Sequence, residues 1–180
     1  MNENLKRIPE RHEIPIEDTW DLSSLFPSDE AWSEALGEYE KMIEKLPFFK
    51  GTLAYSAESL ADWMDFSCNI DILGERIEMY AVARNSEDER SDKTRNMMGK
   101  GEMARAKRQA AGAWANPEIL AIPKADMDKF LEHPRLDDYR MYIGRILRLR
   151  PHTLNEAEDT DHRAVRGRSR HAFRYVFGAG

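Results

Sequence analysis

The stretch SAESLADWMDFSCNIDILGERIEMYAVAR, residues 56–84, decides the fold. Ser56 stands where a helix cap belongs, Ser59 follows one turn later, and Leu60, Trp63, Ile70, Leu73, Ile77, Tyr80 and Arg84 keep a helical stripe with no proline to interrupt it. At 1.5 Å per residue such a run reaches about 40 Å. A helix this long is marginal unless it is packed along its length, so it calls for neighbours of similar reach.

Working outward toward the N-terminus, the same signal recurs. Ser28 can cap a helix that carries Asp29 and Glu30 in its first turn, and Trp32, Leu36, Tyr39, Ile43 and Leu46 follow at three- and four-residue steps. Pro47 is expected to end it. Residues 1–27 hold prolines at 9, 15 and 27 and the apolar cluster Trp20, Leu22, Leu25, Phe26. They read as an extended N-terminal arm whose aromatic end docks on a core.

Toward the C-terminus, the polar segment Asn85 to Ser91 reads as a connector, and a third helix is expected from Asp92 to Ala115. Gly99, Gly101 and Gly112 inside it each cost about 1 kcal/mol relative to Ala, which predicts close packing against a neighbour. Asn116-Pro117 is expected to stop this helix, because the residue before proline is pushed out of the α region. A turn from Pro117 to Pro123, a small helix from Ala125 to Glu132 ended by Pro134, and an amphipathic helix through Leu136, Tyr139, Tyr142, Ile143, Ile146 and Leu149 complete the body. Thr153-Leu154-Asn155-Glu156 is a capping box announcing one more helix. There is no β-rich run and no internal repeat. The expected fold is all-α, an antiparallel long-helix bundle, with the arm over 1–27, a helical lobe over 28–158 and an atypical tail over 159–180.

Composition narrows the function. Of the 180 residues, 41% are hydrophobic and 33% charged, enough to bury a core and to exclude wholesale disorder. The net charge of -6 disfavours nucleic acid and anionic lipid as partners. No run approaches the roughly 18 consecutive apolar residues needed to span a bilayer. The single cysteine, Cys68, and a start without an apolar leader point to the reducing cytoplasm.

No residue cluster carries recognisable chemistry. The five histidines, His12, His133, His152, His162 and His171, never adopt the His-Glu-x-x-His spacing that puts two imidazoles and a base on one helix face, and they read as surface or capping groups. Cys68 lies mid-stripe without a histidine nearby and reads as a buried structural thiol. Lys100, Arg105, Lys107 and Arg108, with Trp114 near their end, read as a solvated helix face. Asp137-Asp138 and Glu87-Asp88-Glu89 read as solvated turns or helix starts. Met64, Met79, Met97, Met98, Met103 and Met141 are expected to fill the core rather than line a peptide groove.

Four segments resemble the N-terminal part of the oligoendopeptidase F family of thimet-like zinc metallopeptidases: Thr19–Pro27 (TWDLSSLFP), Glu75–Ala81 (ERIEMYA), Asn116–Pro123 (NPEILAIP) and Leu147–Leu154 (LRLRPHTL). They stand in register over residues 11–158. The resemblance implies an enzyme that cuts short peptides in a channel between two mostly helical lobes, this chain supplying the N-terminal lobe. It also implies a zinc held by a His-Glu-x-x-His helix and a later glutamate, in a segment far downstream of His152. No catalytic, cofactor-binding or metal-ligating role is therefore carried to any position of this chain, and the chain alone is expected to be inactive.

From Asp159 the sequence departs from that pattern. The last 22 residues hold five arginines, at 163, 166, 168, 170 and 174, against two aspartates, a net of +3, which leaves -9 for residues 1–158 of the total -6. A shift of reading frame in a GC-rich gene produces such sequence, and the expectation is a truncated product whose uncovered apolar surface promotes self-association. The alternative is a free-standing helical protein-interaction module whose basic tail engages an acidic partner.

Overall fold

Three serines start the three long helices. Ser28 Oγ accepts the Ala31 N–H at 3.2 Å, Ser56 Oγ accepts the Ser59 N–H at 3.1 Å, and Ser91 Oγ accepts the Thr94 N–H at 3.3 Å. Each bond satisfies one of the amide donors that a helix leaves unpaired at its beginning. The computed structural model describes residues 9–10 and 13–152, and the capping box at 153–156 and the arginine-rich tail lie outside them. The helices are α1 (Asp29–Ile43), α2 (Ala57–Glu87), α3 (Asp92–Gly112), α4 (Ala115–Ala121), α5 (Lys124–Phe130) and α6 (Arg140–Leu147), joined by short 3-10 turns. There is no strand among the described residues.

The first compact unit runs to Tyr139. Its directions follow from the ties between helices. Along α1, Asp29 meets Tyr80 and Arg84, Trp32 meets Ile77, and Tyr39 meets Gly74, so α1 and α2 run antiparallel. Along α3, Gly101 meets Ile77, Arg105 meets Glu78 and Arg108 meets Asp71, so α3 is antiparallel to α2 as well. Lys93 reaches Asp29 and Lys107 reaches Glu40, which sets α3 parallel to α1. The core between them takes Trp32, Leu36, Tyr39, Leu60, Trp63, Ile70, Ile77, Tyr80, Met97 and Ala104.

α2 has 31 residues, about 46 Å. It runs through Asn85, Ser86 and Glu87, so the expected connector shrinks to residues 88–91. Arg84, one turn from the end, pairs with both Asp29 and Glu87, and these ties hold polar residues in helical form. α1 stops at Ile43, before Pro47, which sits inside the 3-10 turn Leu46–Phe49.

Asn116-Pro117 opens a helix instead of closing one. Pro117 is the third residue of α4, where the amide it lacks would have had no helical partner. Glu118 in the same turn reaches back across the sequence. Its Oε2 accepts the Gly51 N–H at 2.9 Å and its Oε1 the Leu53 N–H at 2.8 Å, fixing the bend where Gly51 has a φ of 85°. Trp114 lies against Trp63, ring centroids 4.8 Å apart.

Of the α3 glycines, Gly112 alone is crowded, by the Arg108 side chain of its own helix, and the close approach between helices lies elsewhere. A Cβ on Gly99 would meet nothing within 4 Å, and one on Gly101 would only touch Ile77 at 3.9 Å. On Gly74 of α2 it would lie 2.8–3.0 Å from the buried ring and hydroxyl of Tyr39. Gly74 is therefore what lets α1 and α2 pack so closely.

The methionines divide. Met64 and Met97 are buried, joined by Met127, whereas Met79, Met103 and Met141 are exposed, which corrects the expectation of core filling for those three. Cys68 is exposed, not buried. The arm docks through Phe26, which meets Tyr80 edge-on at 5.5 Å, while Trp20 remains two-thirds exposed. Arg76 donates to the Leu25 carbonyl at 2.5 Å and lies over the Phe26 ring.

The second unit begins at Arg140 and its described part is α6 followed by the turn Arg150–His152. The expected helix from Leu136 is split, because residues 134–139 form a 3-10 turn. Ile143 and Ile146 are buried, but Tyr142 and Leu149, expected on the same stripe, are exposed.

Candidate functional site

The most elaborate polar constellation is a knot around Asp29. As the first residue of α1, its carboxylate is carried into the junction where α2 ends and α3 begins. It accepts the Tyr80 hydroxyl at 2.8 Å, the Arg84 Nε at 3.1 Å and the Lys93 Nζ at 2.6 Å. Burial pushes the carboxyl up, but the bonds from Lys93, Arg84 and Tyr80 outweigh it and hold Asp29 down at about 2. Burial, followed by the bond to Asp29, pushes the Tyr80 phenol up to about 12. Glu87 completes the knot by accepting from Arg84.

This knot forms one wall of an open cleft of about 490 Å³, whose other wall is the arm residues Trp20 to Pro27. Its chemistry is that of an anchor. An aspartate ionised over the whole physiological range and satisfied by three donors is neither a general acid nor a free base, and a phenol held protonated is no nucleophile.

A second polar group fastens the turn after α5 to the first half of α2. Arg135 donates to Asp62 and Asp65, both at 2.7 Å, and the Tyr139 hydroxyl donates to Asp65 at 2.7 Å. The bond to Asp65, then burial, pushes the Tyr139 phenol up to about 12. His133 places Nε2 3.3 Å from Glu58 on the same side.

The basic residues of α3 are not the free solvated face expected of them. Arg105 pairs with Glu78, Lys107 with Glu40 at 2.9 Å and Arg108 with Asp71 at 3.1 Å, so three of the four tie α3 to its neighbours. Of the acidic runs, Glu87 belongs to the Asp29 knot and Asp88 accepts from Arg90. The sequence reading saw Asp29 only as a first-turn charge. The signal that could have found the knot was Arg84, a charged residue kept on an otherwise apolar stripe.

Among the described residues no three His, Cys, Asp or Glu side chains come together in a group able to hold a metal ion. His133 is turned toward Glu58 and His152 lies in the terminal turn of the described chain, while His12, His162 and His171 lie outside the described residues. The described residues do not fit a zinc centre. No helix among them is long and apolar enough to cross a membrane.

Comparison with known proteins supplies what the polar groups do not. Residues 118–160 match the family model for Oligopeptidase F. The Bacillus subtilis protein Oligopeptidase PepF is 34% identical over 155 residues, which is 85% of this chain and 23% of that protein. A solved structure described as a peptidase from Chlamydophila abortus superposes with a TM-score of 0.78 at 20% identity, over 88% of this chain and 27% of the other, which bears on the fold alone. The oligoendopeptidase-F of Enterococcus faecium superposes with a TM-score of 0.64 at 26% identity, over 71% of this chain and 26% of that one. The chain thus spans about a quarter of the length of the relatives it matches.

Proposed function

We propose, from the sequence similarity to oligopeptidase F proteins and a fold similar to solved peptidases, that this chain is the N-terminal helical lobe of a longer peptidase acting on short peptides. The lobe walls one side of the substrate channel and hydrolyses nothing by itself. Zinc, which supplies a Lewis acid and an activated water when bound in such peptidases, belongs to a segment outside this chain. The same reading places the protein in the cytoplasm and attributes any self-association of the isolated chain to apolar surface that the rest of the enzyme would cover.

The observation that carries this reading is the agreement of sequence similarity with fold similarity. The 34% identity to the Bacillus subtilis protein extends over 85% of the chain, and the helical arrangement superposes on about a quarter of much longer peptidase structures. The α-helical body supports it physically: long helices tied to one another by polar knots make a stiff wall. What this chain's residues contribute is rigidity and position.

A chimera tests it. The segment of the Bacillus subtilis protein that matches this chain is replaced by this chain's residues up to 152, and cleavage of a fluorogenic peptide is measured. A folded chimera that retains peptide cleavage is expected. A chimera that folds and binds zinc but does not cleave would refute the channel-lobe role.

A further inference from the structure

We infer that α3 is a salt-controlled element of the bundle, one that undocks from α1 and α2 and melts locally while those two stay packed. Charge is partitioned by helix. α3 carries six Lys and Arg against two Asp and Glu, a net of +4, whereas α1 carries one against five, a net of -4, and α2 two against seven, a net of -5. Four cations of α3 each meet a carboxylate of another helix: Lys93 meets Asp29 and Lys107 meets Glu40 on α1, while Arg105 meets Glu78 and Arg108 meets Asp71 on α2.

Apolar packing is distributed the other way. α1 buries Trp32, Leu36, Tyr39 and Ile43, and α2 buries eight residues, Trp63, Ile70 and Tyr80 among them. α3 buries Thr94, Met97, Gly101 and Ala104, so Met97 is the one large apolar side chain it buries. Gly99 and Gly101 weaken the helix from within, and Gly99 has open space around it, so no close packing offsets its cost. A helix of this composition does not persist in water once undocked. It therefore melts in place, between the cap at Ser91 and Trp114, whose ring lies on Trp63.

Salt separates the two kinds of contact. The reach of an exposed charge contracts from about 10 Å at 0.1 M to about 3 Å at 1 M, so half-exposed pairs such as Lys107 with Glu40 lose most of their attraction, while apolar burial is kept. Arg108, 13% exposed and also donating to the Ser67 hydroxyl at 2.9 Å, is the tie least screened. With α3 undocked, the negative charges of α1 and α2 face one another without neutralisation, and salt relieves that repulsion too. Salt therefore favours the opened state on both counts, whereas global unfolding gains only from the lost ties.

Hydrogen exchange of the 180-residue chain, corrected for intrinsic rates, tests this at about 0.05 M and about 0.5 M NaCl. Amides of residues 98–108 in α3 are expected to exchange at least about tenfold faster than those of 36–43 in α1 and 70–80 in α2, and to accelerate at least about fivefold with salt, so that the gap widens. Equal rates in the three helices, or a gap that stays constant or narrows as salt is added, would overturn the assignment. Lys107→Glu sets a carboxylate against Glu40 at an exposed site and is expected to accelerate the α3 amides about three- to fivefold at low salt. Adding Glu40→Lys to that variant is expected to restore the wild-type rate. A single variant that exchanges like wild type, or a double variant no slower than the single one, would equally overturn it. None of these outcomes bears on the lobe reading, because each concerns the stability of one helix within the chain.

Discussion

Replacing Asp29 with Asn removes the charge at the centre of the knot while keeping its size. In the folded chain the carboxyl is held at about 2 against an ordinary 3.8, a difference worth about 2 kcal/mol at about 1.4 kcal/mol per unit. The Asp29 side chain is 11% exposed, so little of this is lost to solvent, although the 64%-exposed Lys93 contributes the most screened share. The folded value is the depressed one, so the contribution is complete above pH 4 and drains away as the pH falls toward 2. At pH 7, Asp29→Asn should therefore lower the melting temperature by about 4–8 °C for a chain of this size. In urea titrations the gap between wild type and variant should narrow from pH 4 downward and close near pH 2. A gap that is unchanged between pH 7 and pH 2.5, or no gap at pH 7, would refute the assignment of Asp29 as an ionised hub.

Four other outcomes are expected. Spectrophotometric titration near 295 nm should show three of the six tyrosines ionising late, Tyr39 pushed up by burial and Tyr80 and Tyr139 both held near 12, and stability should fall as the pH rises from 10 through 12 because the unfolded phenols ionise first; Tyr80→Phe and Tyr139→Phe should each remove one late step. Gly74→Ala, which drives a Cβ into the buried Tyr39 ring, should destabilise by about 1–3 kcal/mol in urea melts, whereas Gly99→Ala, with open space around it, should be neutral or stabilising by up to about 1 kcal/mol. Trp32→Phe removes the indole N–H that donates to the Ile77 carbonyl at 2.9 Å and shrinks a buried ring, while that carbonyl keeps its helical bond, and a loss of about 1–2 kcal/mol should appear in the same assay. Glu118→Ala leaves the Gly51 and Leu53 amides without their carboxylate, and hydrogen exchange at those two amides should accelerate with little change elsewhere.

The helices were legible where apolar spacing and a cap agreed. Ser28 and Ser56 each start a helix, and Trp32, Leu36, Tyr39, Ile43, Leu60, Trp63, Ile70, Ile77 and Tyr80 are all buried as their spacing required, whereas Ser91, read as the end of a connector, caps α3. Errors arose where tertiary partners overrode local preference. The polar end of α2 stays helical because Arg84 binds Asp29, more than fifty residues earlier in sequence. Pro117 could be read as a stop or as a first-turn residue, and only the hold of Glu118 on the Gly51 bend selects the second.

Exposure on long helices was least legible. Met79 and Cys68 sit on a helix buried along one side, and periodicity alone does not say how wide the covered side of so long a helix is. The Asp29 knot was hidden for the same reason, since its members are scattered over positions 29, 80, 84, 87 and 93. Family resemblance was carried by short segments that turn out to include structural joints: Phe26 on Tyr80, the Glu75–Ala81 stretch of α2 that receives it, and the α4 turn holding Gly51.

The central claim is that the reaction centre lies in polypeptide beyond this chain, and zinc stoichiometry together with peptide turnover tests it most directly. The purified 180-residue chain, dialysed against micromolar zinc, is predicted to retain no stoichiometric metal and to leave a quenched fluorogenic peptide uncut. One zinc per chain lost on replacing His133 or His152, or turnover that a chelator abolishes and zinc restores, would contradict it.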